Sequence, residues 1–271
     1  MLKAFYGLTK EPFKENKLEL LKQQEQIFQM LQIHAWQGGF CFIFGEQGLG
    51  KSILKKHIEE LHERKDSFVI AINRTMHSYF NLIKGIALEM KLKVKGQAKE
   101  YENAILEEAQ NIVRQNKKLI TVIDEANHLD YEAMMQLRLF FDNFPKAHNL
   151  IFFSHPDMLG KLDLRRYKDV KARITYSAEL KPLNEDDMLE FITNEIKKSN
   201  IGSNIFDANA LDLIVRSVDG NLRLAVNLCH SCLVQAVRNE NRNVHIGTVN
   251  EVLIQPHWRY HNDPASDKIK K

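Results

Sequence analysis

Residues 39–52 read Gly-Phe-Cys-Phe-Ile-Phe-Gly-Glu-Gln-Gly-Leu-Gly-Lys-Ser. The unbroken apolar run from Phe40 to Phe44 predicts a buried strand, because a strand covered on both faces needs no polar alternation. From Gly45 to Ser52 the spacing matches G-x-x-x-x-G-K-[ST], and a helical run starts at Lys51 and continues to about Arg64. Strand, glycine turn and helix in that order open a parallel α/β sheet. The glycines let backbone N–H groups curl around phosphates, and the helix N-terminus adds positive potential. Lys51 is placed to reach the terminal phosphates, and the Ser52 hydroxyl to coordinate Mg2+. Gly45, Glu46, Gln47, Gly48, Leu49, Gly50, Lys51, Ser52 and Ile53 are therefore the predicted nucleotide-binding residues.

Outward from this stretch the same alternation continues. Strands are expected at Ser67–Asn73, Lys118–Ile123 and Asn149–Phe153, separated by helices over Ser78–Met90, Glu100–Gln115 and Tyr131–Asn143. The expected fold class is α/β with a mainly parallel, doubly wound sheet. The pattern changes near Leu180-Lys-Pro-Leu-Asn184. Beyond it only helices are signalled: Asn184 capping Glu185, Asp186 and Asp187, Asp207 capping Ala208 to Val218, Leu222 to Asn239 after Gly220, and a short helix from Thr248 to Leu253. The expected division is residues 1–180, a helical domain over 181–256, and a flexible tail over 257–271.

The second half of the site is Leu119-Ile-Thr-Val-Ile-Asp124-Glu125, an apolar strand delivering two carboxylates at its C-terminal end, where parallel sheets place ligands. Asp124 is expected to hold Mg2+ through its water shell, and Glu125 to orient and polarise an attacking water. Adjacent acids favour hydrolysis of ATP over phosphoryl transfer to a small molecule. No Asn-Lys-x-Asp guanine-reading motif follows Asp124, which argues against GTP.

Composition limits the partners. The chain has 271 residues, 44% of them hydrophobic, and 38 basic against 35 acidic side chains leave a net charge of +3. That balance is too even for a protein that coats nucleic acid with its whole surface, so any such contact needs a local patch. Lys91-Leu-Lys-Val-Lys-Gly-Gln-Ala-Lys99 is the candidate, since no acid interrupts it and alternation places Lys91, Lys93 and Lys95 on one side. Each lysine can neutralise a phosphate of double-stranded DNA and release counterions, largely independently of base sequence. Trp258, Arg259 and Tyr260, with Lys268, Lys270 and Lys271, are a weaker second candidate in the tail. Cys229-His-Ser-Cys232 lies inside a helical run and reads as a buried face, with no second pair at zinc spacing. Three cysteines make no disulfide framework, and neither a signal peptide nor a membrane-spanning run is apparent. A cytoplasmic protein with no membrane contact is expected.

Phe5-Tyr-Gly-Leu-Thr-Lys-Glu-Pro-Phe13, both nucleotide motifs, and Gly220-Asn-Leu-Arg-Leu-Ala-Val-Asn227 together resemble AAA+ ATPases of the ExeA-like group. Within that group the chain resembles the stand-alone ATPases that accompany DDE transposases, relatives of TnsC, TniB and IstB. The resemblance implies an AAA+ P-loop domain followed by a small all-helical lid, with ATP and Mg2+ as cofactors. It also implies site residues. Ser154, in Phe152-Phe-Ser-His-Pro156, falls at the first sensor with His155 as competitor, and Arg223 falls at the second sensor. Arg173 matches an arginine finger acting on a neighbouring subunit, with Arg165 and Arg166 as rivals. Pro12 and Phe13, with Tyr6, match a segment that packs on adenine, and loops after the second strand face DNA, nominating Arg74. A departure follows Phe13, where Lys14 to Lys22 is polar and expected to be helical. The function implied is an ATPase that assembles as a ring or filament of identical subunits on DNA and recruits or activates a DDE-type transposase. A soluble secretion ATPase of the ExeA type and a helicase-loader-like switch are the alternatives.

Overall fold

The computed structural model describes residues 2–8, 11–13, 19–73, 78–202 and 204–259. The chain divides into two compact units, one of Glu19–Lys181 and one that joins Met1–Leu18 to Pro182–Lys271. Residues 1–18 thus group with the C-terminal helices, whereas the sequence reading places them in the α/β part. The physical reason is burial: Leu2 is buried, and Phe13 is buried with its ring edge-on to Phe206 at 6.4 Å.

A short helix, α1 (Leu2–Tyr6), opens the described chain. The α/β unit follows with α2 (Lys22–Gln37), β1 (Gly39–Gly45), α3 (Lys51–Glu59), β2 (Ser67–Ile72), α4 (Tyr79–Glu89) and α5 (Ala98–Arg114). It continues with β3 (Lys118–Ile123), α6 (Tyr131–Phe141), β4 (His148–Ser154), α7 (Asp157–Leu162), α8 (Lys168–Lys171) and β5 (Tyr176–Leu180). The five strands form one parallel sheet in the order β2-β3-β4-β1-β5. β1 is interior, paired to β4 and β5. Its alternate side chains enter two cores, Phe42 and Phe44 on one face and Cys41 and Ile43 on the other. Helices cover both faces: α4, α5 and α6 pack on the first, α2 and α3 on the second. An apolar run with no alternation is what such double coverage requires.

Two elements depart from the sequence reading. β5, Tyr-Ser-Ala-Glu-Leu, is an edge strand that buries fully only Leu180, so its sequence alternates and gives no apolar run. The helix expected over Lys14–Lys22 starts only at Lys22; Leu21 is extended, and its N–H donates to the Gln24 side chain at 2.9 Å. Residues 14–18 lie outside the described residues.

The helical unit contains α9 (Glu185–Ser199), α10 (Ala208–Ser217), α11 (Leu222–Arg238), α12 (Ile246–Leu253) and α13 (Pro256–Arg259). Asn184, Asp207 and Asn221 cap α9, α10 and α11 by accepting from the N–H three residues on, at 2.8, 2.6 and 3.1 Å. Gly220 is held at φ +70°, and a Cβ there would meet the Leu183 carbonyl oxygen at 2.4 Å. Only glycine fits that contact. Cys229 and Cys232 are fully buried on α11, and burial pushes the Cys232 thiol up to about 12.

The tail expectation is corrected in part. Trp258 is buried at 3% exposure within α13, so its indole is packed in the helical unit and is not presented to nucleic acid. Tyr260 and the residues beyond it lie outside the described residues. No helix among the described residues is long and apolar enough to cross a membrane.

Candidate functional site

The C-terminal edge of the sheet gathers the predicted nucleotide residues of the α/β unit. β1 ends at Gly45 and the chain turns through Glu46–Gly50 into α3. Gly48 and Gly50 have φ of +86° and +93°, and Gly50 is the N-cap residue of α3, a left-handed position that strains a side-chain-bearing residue. Leu49 anchors the loop by full burial. The Lys51 ammonium donates to the carbonyls of Gly45 and, at 2.8 Å, of Glu46, which holds it over the loop. Ser52 is exposed at the first turn of α3.

β3 delivers the two acids. Asp124 continues the β3 pairing by donating its N–H to the Ile72 carbonyl at 3.0 Å. Its Oδ1 accepts from the Glu125 N–H at 2.9 Å, and its Oδ2 accepts from the Lys55 ammonium at 2.5 Å. Glu125 sits at φ +51°, ψ +40°, an unusual backbone for a residue with a Cβ, and its carboxylate is 64% exposed. The left-handed backbone turns the Glu125 carboxylate toward solvent while Asp124 stays shielded, so the two adjacent acids differ in exposure. His128 Nε2 lies 3.9 Å from Glu125.

β4 supplies the third strand end. Ser154 is fully buried, and its hydroxyl donates to the His155 carbonyl at 3.2 Å. The His155 ring instead stands between carboxylates, Nε2 at 2.6 Å from Glu46 of the phosphate loop and Nδ1 at 3.0 Å from Asp157. The His155 N–H donates to Asn127 Oδ1 at 3.2 Å, and the Asn127 carbonyl accepts from Lys161 at 2.7 Å. Of the two residues left open at this position, His155 is the one that touches the phosphate loop.

The remaining predicted residues are placed as follows. Arg173 pairs with Asp142 at 3.0 Å and is half exposed, and Arg138 reaches the same carboxylate at 3.6 Å. Arg165 is exposed, and the Arg166 guanidinium lies 5.6 Å from the Tyr131 ring and 5.5 Å from the Tyr167 ring. Arg223 is exposed in the first turn of α11, and Pro12 and Phe13 are buried, all three in the helical unit. Lys91, Lys93, Lys95 and Lys99 are all exposed, while Leu92 and Val94 between them pack on the core. The alternation expected there is thus realised in the backbone between α4 and α5. Arg74 lies outside the described residues.

Three contributors escape the sequence reading. Gln24, fully buried on α2, donates its amide to the Gly50 carbonyl at 3.3 Å and so ties the phosphate loop from beneath. Nothing local to Gln24 signals this, because the contact spans 26 residues. Lys55 and Glu59 follow Lys51 at successive i+4 steps, a spacing that places all three on one face of α3. Burial raises the Glu59 carboxyl, opposed by Lys55 and reinforced by Asp124 and Glu89.

A comparison with the curated proteins found no match. Residues 35–162 match the family model described as AAA domain. Among solved structures the chain is similar to Cdc6p from Pyrobaculum aerophilum, with TM-score 0.68 at 18% identity over 89% of this chain and 68% of that one. It is similar to the Aeropyrum pernix ORC2 protein in ADPNP-ADP complexes, with TM-score 0.68 at 14% identity over 95% and 74%. It is similar to Aeropyrum pernix ORC1 in complex with DNA, with TM-score 0.66 at 14% identity over 88% and 66%. Strand order, phosphate loop and family match together give this chain an α/β fold with an AAA+ P-loop domain, the fold of the Cdc6 and ORC structures.

Proposed function

We propose that this chain is an ATP-hydrolysing switch that binds duplex DNA in its ATP-bound form. The observation that carries the reading is the convergence of the phosphate loop, the Asp124–Glu125 pair and His155 at the ends of β1, β3 and β4. Backbone N–H groups of the loop and Lys51 hold the β- and γ-phosphates. The donor set suits Mg2+, since Ser52 offers a hydroxyl and Asp124 already accommodates a positive charge at 2.5 Å. Mg2+ supplies charge that offsets that of the phosphates. Glu125, its carboxylate 64% exposed, orients a water and takes its proton as the water attacks the γ-phosphorus, releasing ADP and phosphate. His155 reports on the γ-phosphate through its contact with Glu46. Arg223 acts as the second sensor, Arg173 as the finger toward a neighbouring subunit, and Pro12 and Phe13 as the adenine contact.

Lys91, Lys93, Lys95 and Lys99 form the DNA-facing row, with Arg74 as a further contact. Their exposure, with Leu92 and Val94 directed inward, supports this reading. Identical subunits assemble on DNA, and the assembly recruits or activates a DDE-type transposase in the cytoplasm. That last step rests on the ExeA-like sequence resemblance. A second reading, a helicase-loader-like switch, draws support from the likeness to the Cdc6 and ORC structures.

The test is a gel shift and electron microscopy with duplex DNA, with and without a non-hydrolysable ATP analogue. The expected result is binding and assembly that require the analogue. Equal binding without nucleotide, or none with it, rejects the switch.

A further inference from the structure

The α3 face that leads away from the phosphate loop carries Lys51, Lys55 and Glu59 at intervals of four residues. Lys51 serves the loop. Lys55 does something different: its ammonium lies 2.5 Å from Asp124 Oδ2, and the two side chains are only 14% and 16% exposed. One turn further on, Glu59 Oε1 is buried with no hydrogen-bond partner. Lys55 therefore stands near two carboxylates, Asp124, which it pairs with, and Glu59, which keeps one oxygen without a donor. A buried carboxylate oxygen without a donor is costly, so a state that satisfies it is favoured whenever Lys55 is released.

The Lys55 ammonium and the hydration shell of a divalent ion compete for Asp124. Both want the same lone pairs, and two positive groups a few ångströms apart repel in a shielded site. Asp124 Oδ1 also accepts from the Glu125 N–H, so each oxygen of the shielded carboxylate already holds one donor. The displaced ammonium stays on α3, where an i,i+4 partner is within reach of its flexible four-carbon stem.

We propose that Lys55 is a built-in counter-cation for Asp124, and that it transfers to Glu59 when a divalent ion takes up the carboxylate. This rests on the nucleotide-site reading above. In the first state Lys55 neutralises Asp124, so the approach of the polyphosphate meets no bare carboxylate. In the second state Lys55 satisfies Glu59, and the exchange sets how much Mg2+ the site requires.

The experiment is a Mg2+ titration of the binding of a fluorescent non-hydrolysable ATP analogue, with the midpoint Mg2+ concentration as the readout. Lys55→Met removes the competitor, and the midpoint is expected to fall about tenfold, while Lys55→Arg keeps it near that of the unmodified chain. Glu59→Gln leaves the Lys55–Asp124 pair in place but removes the charge that receives the ammonium, and the midpoint is expected to rise several-fold. A Lys55→Met midpoint equal to or above that of the unmodified chain overturns the competition. An unchanged Glu59→Gln midpoint overturns the transfer, and because that variant keeps the native ion pair it remains informative should Lys55→Met fold poorly. If the unmodified chain binds no analogue at any Mg2+ concentration, the nucleotide-site reading falls and this one with it.

Discussion

β4 carries a histidine at its start and is followed by one at its end, and the two have opposite fates. His148 is buried between strands and helix, its ring stacked on Phe141 at 4.9 Å and its Nε2 2.9 Å from the Thr121 hydroxyl. Burial pushes its pKa down to about 3, so it stays neutral. His155, seven residues later, lies between the carboxylates of Glu46 and Asp157 beside the phosphate loop. The residue type is the same, but one end of the sheet is closed by packing and the other is open and rich in charge. The N-terminal edge is closed by packing, and the C-terminal edge is where open parallel sheets place ligands.

The strongest test of that contrast is at the open end. Glu125→Gln is expected to keep ATP affinity and lower hydrolysis by about 10²–10⁴-fold, the range of a positioned general base. Normal turnover in a phosphate-release assay would remove Glu125 from that role. At the closed end the expected effect is on stability. His148 takes up protons more readily unfolded, with a pKa near 6.5, than folded, near 3, so stability is complete above about pH 6.5 and falls as the pH drops. At about 1.4 kcal/mol per pH unit the loss between pH 7 and pH 5 is about 2 kcal/mol, read from urea unfolding. His148→Gln should flatten that slope, and an unchanged slope would assign the acid sensitivity to other groups.

Three smaller effects follow. His155→Ala is expected to slow hydrolysis about tenfold, or about 1.4 kcal/mol of barrier, with stability within about 0.5 kcal/mol. Ser154→Ala should do the reverse, costing about 1 kcal/mol of stability with little change in rate, because its hydroxyl is buried and bonded to its own chain. The opposite pattern would make Ser154 the sensor. Replacing Lys91, Lys93 and Lys95 by Gln should reduce the slope of log affinity for DNA against log salt by about three units. An unchanged slope moves the DNA contact elsewhere.

Most of the open edge was legible in the sequence because its function depends on backbone geometry and on position along the chain. Glycine spacing sets the loop, and an apolar strand ending in Asp-Glu sets the acids. β5 was not legible, since an edge strand with one wet face lacks the apolar run that marked the other four. The contribution of Gln24 was not legible either. A buried amide on α2 supports Gly50 only because the fold brings two distant segments together. Trp258 read as part of a free tail because α13 is a single turn with no repeat to detect, yet it is buried.

The sequence by itself determined the alternation of strand and helix, the phosphate loop, the adjacent acids and the lysine row, since each depends on local spacing of 2, 3.6 or a fixed motif length. The tertiary structure decided which neighbours those residues meet. It grouped residues 1–18 with the C-terminal helices, paired Lys55 with Asp124 across 69 residues, and turned His155 rather than Ser154 toward the phosphate loop. Those outcomes follow from burial and charge pairing between segments far apart in the chain, and no local pattern encodes them.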